Sequence, residues 1–108
     1  MQVLQGTLEM LVMEALAPNR ELHGFGILDR ITSATEGALA IEEGALYPAL
    51  HRLAKKELIA ATWGISSKGR RAKYYALTKA GKARLKVARS EWQSYVDAVA
   101  RLAEGARG

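Results

Sequence analysis

The sequence predicts a mostly α-helical fold with one small β-hairpin, in the order three short helices, hairpin, long last helix. Three observations predict it: apolar residues recur at helical spacing in four stretches, two β-prone runs flank a glycine turn, and nothing marks a second domain within the 108 residues. Hydrophobic residues make up 49% of the chain and charged residues 25%, which excludes a disordered protein.

The first two helices are predicted from apolar spacing and from helix breakers. The first follows Thr7, a residue type that favours helix N-caps, and ends at Pro18. Its apolar face comprises Leu8, Leu11, Val12 and Leu16. The second begins at Leu22 and has two glycines in its first turn. Two sets of residues compete for its buried face: Phe25, Leu28 and Ile31, or Ile27 and Ile31.

The third helix is predicted from an acidic start and a leucine stripe. Glu42 and Glu43 precede it, because acidic side chains are favoured near a helix N-terminus. Pro48 is tolerated only in a first turn, so we expect the helix to begin near residues 44–46. Its buried stripe is Leu46, Leu50 and Leu53, and its opposite face presents Tyr47, His51, Arg52 and Lys55.

A hairpin and a long helix complete the chain. Residues 58–65 and 71–77 are β-prone and flank a turn at 66–69, and Thr78 is the expected N-cap of a helix over residues 79–103. Three helices followed by a hairpin are typical of a winged helix-turn-helix, whose third helix enters the DNA major groove. We therefore predict a winged helix-turn-helix domain over residues 1–78 and a dimerisation helix over residues 79–108, packed as one unit.

Positive charge is concentrated in one third of the chain. Residues 1–51 carry two bases and seven acids, residues 52–89 twelve bases and one acid, and residues 90–108 two bases and three acids, so balances of −5, +11 and −1 give the net +5. Such a cationic block indicates a polyanionic partner such as double-stranded DNA, the alternative being a solvated basic face.

Several function classes are excluded or disfavoured. The absence of cysteine excludes disulfides, thiol catalysis and cysteine zinc sites. His23 and His51 lie far apart in sequence and no catalytic spacing stands out, so no enzyme activity, metal or cofactor is expected. No apolar run reaches the ~20 residues that span a bilayer, and the N-terminus lacks a signal-peptide pattern, so we expect a cytoplasmic protein without a membrane partner.

The last helix carries a seam with alternating three- and four-residue steps, formed by Leu85, Ala88, Trp92, Tyr95, Val99 and Leu102. A helix this long extends past a small core. We therefore predict a homodimer formed by this seam and the first helix, including Leu4, the alternative being packing against its own domain. The predicted dimer and effector residues are Leu8, Leu85, Trp92, Tyr95, Val96 and Val99.

Four ordered strings resemble the PadR family of transcriptional regulators. They are LQGTL at residues 4–8, LHGFGI at 22–27, EGALYPALHRL at 43–53 and GRRAKYYALTKAG at 69–81. The short region after the last string resembles the subgroup with a single C-terminal helix. The resemblance implies a homodimeric repressor of a palindromic operator, released by a small hydrophobic or aromatic effector. It also implies that Trp92 either stacks such a ligand or only anchors the interface.

The expected DNA contacts lie on the third helix and on the hairpin, which is the wing: Tyr47, His51, Arg52, Lys55, Lys68, Arg70, Arg71 and Lys73. Tyr47 would donate its hydroxyl to a phosphate, unless its ring packs against the wing. Two rival hypotheses are a winged-helix module that docks an acidic protein and a small-ligand carrier. Retention on a DNA column tests the first rival, and quenching of Trp92 with and without DNA tests the second.

Overall fold

The computed structural model describes residues 6–105. The elements in chain order are α1 (Leu8–Leu16), β1 (Leu22–His23), α2 (Gly24–Ala34), α3 (Glu43–Lys55), β2 (Ile59–Ile65), β3 (Arg71–Leu77) and α4 (Lys79–Gly105). This order confirms the predicted mostly helical fold with a hairpin and a long last helix. The expectations for Leu4, for the start of the first string and for residues 106–108 lie outside the described residues.

The sheet has a third strand that the sequence did not indicate. This additional strand is β1, and the sheet order is β1-β3-β2 with all neighbours antiparallel. Leu22 lies opposite Tyr75, and His23 lies opposite Tyr74. A two-residue strand is too short to show alternation, so its pairing depends on the tertiary fold. As a result α2 begins at Gly24, where His23 Nδ1 accepts a hydrogen bond from Gly26 N, and not at Leu22 as predicted.

The core lies between the first three helices, the base of the sheet and the start of α4. Its buried apolar members are Val12, Met13, Ala15, Leu16, Ile27, Ile31, Leu46, Leu50, Leu53, Ile59, Tyr75 and Leu85. Of the two sets that competed for the buried face of α2, the pair Ile27 and Ile31 is correct, and Phe25 is 68% exposed.

Helix α3 begins at Glu43, slightly earlier than predicted, and this start places Pro48 beyond the first turn. Proline has no N–H, so the carbonyl of Gly44 loses its usual donor within the helix. Gly44 is exposed, and water can satisfy that carbonyl. Two features agree with the sequence prediction: the acidic start of the helix and its buried apolar stripe, which includes Leu50.

The junction between wing and α4 is tightly built. Thr78 Oγ1 accepts from Gly81 N at 2.9 Å and donates to the Glu57 carbonyl at 2.7 Å, which confirms Thr78 as the N-cap of α4. Thr78 N also donates to the carbonyl of Leu58 at 3.1 Å. None of the helices within residues 6–105 is long and apolar enough to cross a membrane.

Candidate nucleic-acid interface

One face of α3 is buried and the opposite face is open to solvent. Tyr47, His51 and Lys55 are exposed and lie four residues apart, so they line up along that open face. The buried face packs into the core through Leu46, Ala49, Leu50 and Leu53. The structure therefore brings three of the four predicted α3 contacts into one exposed row along the helix.

Arg52, the fourth predicted α3 contact, bridges α3 and α1. Its Nε donates to Glu9 Oε1 at 3.1 Å, and Lys56 Nζ lies 3.3 Å from Glu9 Oε2. The pairs are partly exposed, so each contributes at most about 1 kcal/mol to stability. The paired residues lie more than 40 positions apart in sequence, so no local pattern indicates this contact.

Tyr47 packs against the start of α2 instead of lying free on the helix surface. A Cβ atom at position 24 would lie 2.6 Å from Tyr47 Oη, so the absence of a side chain at Gly24 makes room for the ring. Tyr47 also lies near Tyr75 at the base of the sheet. The pKa of the Tyr75 hydroxyl is raised mainly by burial and secondarily by Tyr47. Tyr47 remains 50% exposed, so the ring is supported by α2 while part of it faces solvent.

The wing tip is a tight turn that exposes two of the predicted cations. Ser66 N donates to the Arg70 carbonyl at 2.7 Å, and Gly69 N donates to the Ser66 carbonyl at 2.9 Å. Gly69 has a φ of 74°, a conformation that glycine adopts without strain. Lys68 and Arg70 are exposed on this turn, as the sequence predicts.

Arg71 and Lys73 lie on strand β3 and not at the tip, and both cations lie over the ring of Trp63. The guanidinium carbon of Arg71 is 4.4 Å from the ring centroid, and Lys73 Nζ is 5.9 Å from it. Trp63 lies within the β-prone residues 58–65, but the sequence prediction did not include its contact with the two cations. The signal that could have found it is the hairpin register, which places Trp63 directly opposite Lys73.

Within residues 6–105 the four wing cations make no ion pair with a carboxylate, and the same holds for Lys55, Lys79, Lys82 and Lys86. The ion pairs among residues 6–105 involve Arg52, Lys56, Arg84 and Arg89, and none involves a wing residue. Arg89 donates to both oxygens of Glu14, which lowers the pKa of Glu14 and raises that of Arg89. Lys68, Arg70, Arg71 and Lys73 therefore form the part of the wing surface where positive charge is uncompensated.

Helix α4 separates into a packed start and an exposed remainder. Residues 91–105 are all exposed, and the ring of Trp92 stacks on that of Tyr95 with centroids 6.2 Å apart. These two rings line a cavity of about 810 Å³ between α1 and α4, together with Met10 and Met13. Val96 and Val99 lie on the exposed part of α4, among the predicted dimer residues.

Two of the predicted dimer and effector residues serve the protomer's own core. Leu85 is 2% exposed and belongs to the core, and Leu8 packs against that core. The seam prediction therefore needs correction at its start, because a leucine already buried inside the protomer offers no surface to a partner. The exposed seam begins at Trp92, one turn beyond the half-buried Ala88.

Comparison with known proteins places the chain among transcriptional regulators. A transcriptional regulator from Clostridium thermocellum has a TM-score of 0.81 and 26% identity, with 90% of this chain and 93% of that chain covered. A PadR family transcription regulator from Clostridium difficile has a TM-score of 0.76 and 28% identity over 90% of this chain and 98% of the other. An uncharacterized protein of Lysinibacillus sphaericus is 31% identical, with 95% of this chain and 94% of that protein aligned.

A family model covers most of the described structure. The model described as the transcriptional regulator PadR-like family matches residues 12–87, from α1 to the first part of α4. The match includes the row on α3 and the whole wing. Since this is a family of transcription regulators, it confirms that the chain is not an enzyme. The protein belongs to the PadR-like family of DNA-binding transcriptional regulators.

Proposed function

We propose that this protein is a homodimeric repressor that binds an inverted-repeat operator through α3 and the wing. The observation that carries the proposal is the uncompensated charge of the wing beside the open row of α3. Four exposed cations without carboxylate partners attract phosphates, and Tyr47, His51 and Lys55 offer donors on the reading helix. Protein bound at a promoter would block transcription.

The sheet register supports a common DNA-facing side for α3 and part of the wing. Residues directly opposite each other in an antiparallel pair place their side chains on the same face. Tyr75 points to the helix-packed face, because it is buried in the core. Alternation along β3 puts Lys73 and Arg71 on that same face, farther from the core. The wing thus extends the helix side of the sheet with cations.

The homodimer is proposed to form through the exposed seam of α4. This helix has 27 residues and is therefore about 40 Å long. Its large exposed apolar residues beyond residue 90 are Trp92, Tyr95, Val96, Val99 and Leu102. A second copy of the same helix would bury this seam, and its two-fold axis would relate two α3 helices about 10 base pairs apart, or a multiple of that spacing.

An effector site is proposed at the cavity between α1 and α4. Trp92 and Tyr95 offer aromatic faces there, and two methionines add an adaptable apolar wall. A planar aromatic compound would stack on these rings, beside four charged residues that also line the cavity: Glu9, Lys56, Arg84 and Glu91. The test uses a Trp63→Phe variant, in which Trp92 is the remaining tryptophan, titrated with 1-naphthol. Saturable quenching supports the site, and quenching that only follows the collision rate contradicts it.

The DNA-binding proposal is tested by removing two wing charges. Arg70→Ala combined with Arg71→Ala should weaken binding to a duplex selected from random-sequence DNA by the wild type. Each lost phosphate contact should also lower the slope of log affinity against log salt by about 0.9. Lys79→Ala combined with Lys86→Ala is the matched control, because it removes the same charge from the exposed surface of α4.

The two double variants separate specific contacts from general electrostatics. If the wing contacts DNA, only the arginine variant changes the salt slope, while both variants remain dimers in sedimentation. Wild-type affinity and slope in the arginine variant would refute the wing contact. Equal losses of affinity in both variants would show that binding depends on net charge alone, which would also contradict the wing contact.

The dimer is tested by placing a charge on the seam. Val99→Asp should shift the protein to monomer in sedimentation equilibrium, because a carboxylate buried at a helix pair has no partner. Ser90→Asp is the control: it adds the same charge to an exposed residue on the opposite side of α4. A Val99→Asp variant that remains dimeric would contradict dimerisation through this seam.

A further inference from the structure

Trp63 is an exposed aromatic residue that the proposed DNA contacts do not explain. Its side chain is 60% exposed on β2, on a wing whose exposed residues also include Ile65 and four cations. Trp63 belongs to the same sheet face as Tyr75 and Lys73, since Ala61 pairs with Tyr75 and Trp63 pairs with Lys73. The indole therefore lies on the helix side of the sheet, outside the core.

Two cations share the ring of Trp63. Lys73 is its direct cross-strand partner, and Arg71, opposite Ile65, is its diagonal neighbour. Their charged groups lie 5.9 Å and 4.4 Å from the ring centroid, both within the range of a cation–π interaction. Arg71 is the closer, and a guanidinium can stack on an indole face.

An indole orders a cation without neutralising it. Where Arg52 and Arg89 are held by carboxylates, part of their positive field is cancelled. Trp63 carries no charge, so Arg71 and Lys73 keep their full attraction for a phosphate. Free arginine and lysine side chains lose rotamer entropy when they bind, and a side chain already ordered loses less.

We propose that Trp63 is a positioning residue of the DNA interface, which holds Arg71 and Lys73 on the helix side of the wing in the orientation that binds phosphate. This inference rests on the proposed function, because it assumes that the wing contacts DNA. It adds a residue that acts through the two cations and need not touch the nucleic acid.

The test is a mutant cycle measured by fluorescence anisotropy at one salt concentration, with the duplex selected by the wild type. Trp63→Ala should weaken binding by about fivefold or more, because Arg71 and Lys73 must then be ordered when they bind DNA. Trp63→Phe keeps an aromatic face and should recover part of that loss. In a chain that also carries Arg71→Ala and Lys73→Ala, Trp63→Ala should have less than about a twofold further effect, since its partners are gone.

Thr62→Ala is the control for the strand itself, because Thr62 is the exposed neighbour of Trp63 on the opposite face of β2. It should bind within about twofold of the wild type. Thermal unfolding of each variant shows whether the fold is retained. If the alanine variant unfolds, Trp63→Phe still provides the test. A folded Trp63→Phe protein that has lost DNA binding would contradict the positioning role, because its aromatic face is retained.

The outcomes separate this inference from the proposal on which it rests. A wild type that selects no duplex contradicts DNA binding itself. With binding established, an equal loss from Trp63→Ala in both backgrounds means that the indole contacts DNA directly, which overturns the positioning role. No loss in the wild-type background overturns it as well.

Discussion

The junction between the wing and α4 makes a sharp prediction about one glycine. A Cβ atom at Gly81 would lie 1.9 Å from the carbonyl oxygen of Leu58, a backbone atom fixed by its hydrogen bond from Thr78 N. Ordinary contact requires ~3.5 Å, so Gly81→Ala forces α4 and the start of β2 apart by more than about 1 Å. The cause is steric, because Gly81 lies inside a helix and is not held in a glycine-only conformation.

Two opposing terms set the size of the effect. Replacing glycine by alanine inside a helix gains ~0.8–1 kcal/mol of helix propensity. Overpacking a close contact costs about 1–3 kcal/mol, and the backbone clash at Gly81 puts this variant at the upper end of that range. We therefore expect Gly81→Ala to lower the free energy of unfolding by about 2 kcal/mol. For a domain of this size, such a change corresponds to roughly 8 °C or more in Tm.

The matched control is Gly44→Ala, in the first turn of α3, where an added Cβ meets no atom within 4 Å. This variant should be as stable as the wild type or more stable by up to about 1 kcal/mol. Circular-dichroism melts at one fixed protein concentration compare the variants, since the proposed dimer would make the Tm depend on concentration. A Gly81→Ala protein that melts with the wild type would refute the packing argument.

Three further predictions concern α1, α3 and the wing tip. Glu14→Gln should cost about 1 kcal/mol or less at neutral pH. Because Arg89 lowers the pKa of Glu14, this contribution is present above its unfolded value near 4.5 and is lost as pH falls through the lower folded value. In urea titrations, the difference in the free energy of unfolding between wild type and variant should therefore be smaller at acid pH than at neutral pH. Tyr47→Phe should leave Tm unchanged and weaken DNA binding by roughly 2- to 10-fold in anisotropy titrations, the loss of one hydrogen bond. An unchanged affinity would show that the hydroxyl makes no phosphate contact. Gly69→Ala should lower the free energy of unfolding by ~1–2 kcal/mol in urea titrations, because alanine is strained at a φ of 74°.

Most of the fold could be predicted from sequence because its signals are local. Helix periodicity, the breaker Pro18 and the cap Thr78 each act within a few residues, and the corresponding elements form as expected. The strand β1 could not be predicted, because two residues form a strand only when Tyr74 and Tyr75 are beside them. Phe25 was ambiguous for a related reason: local spacing cannot say which of two overlapping stripes meets the core.

The residues of the candidate site could be predicted from the sequence, but the contacts between them could not. The row of Tyr47, His51 and Lys55 follows from helix geometry alone. The bridge from Arg52 to Glu9 joins elements distant in sequence, and only the packing of α3 on α1 brings them together. The role of Trp63 was in principle readable, because counting outward from the turn gives the hairpin register that places it opposite Lys73.

The fold divides the twelve bases of residues 52–89 into three groups of four. One group includes Arg52 and Arg89, which form ion pairs with carboxylates of α1 and so join α3 and α4 to that helix. The second group is the wing, where the uncharged indole of Trp63 contacts Arg71 and Lys73. The third group has no ion pair among the described residues and consists of Lys55, Lys79, Lys82 and Lys86. A net balance of +11 over residues 52–89 therefore overstates the uncompensated positive charge near Arg52, Lys56, Arg84 and Arg89, whereas the wing cations have no ion-pair partner among the described residues. Under the proposed function, the wing should contribute sequence-independent attraction for phosphates, and the weakly charged row on α3 should discriminate among bases.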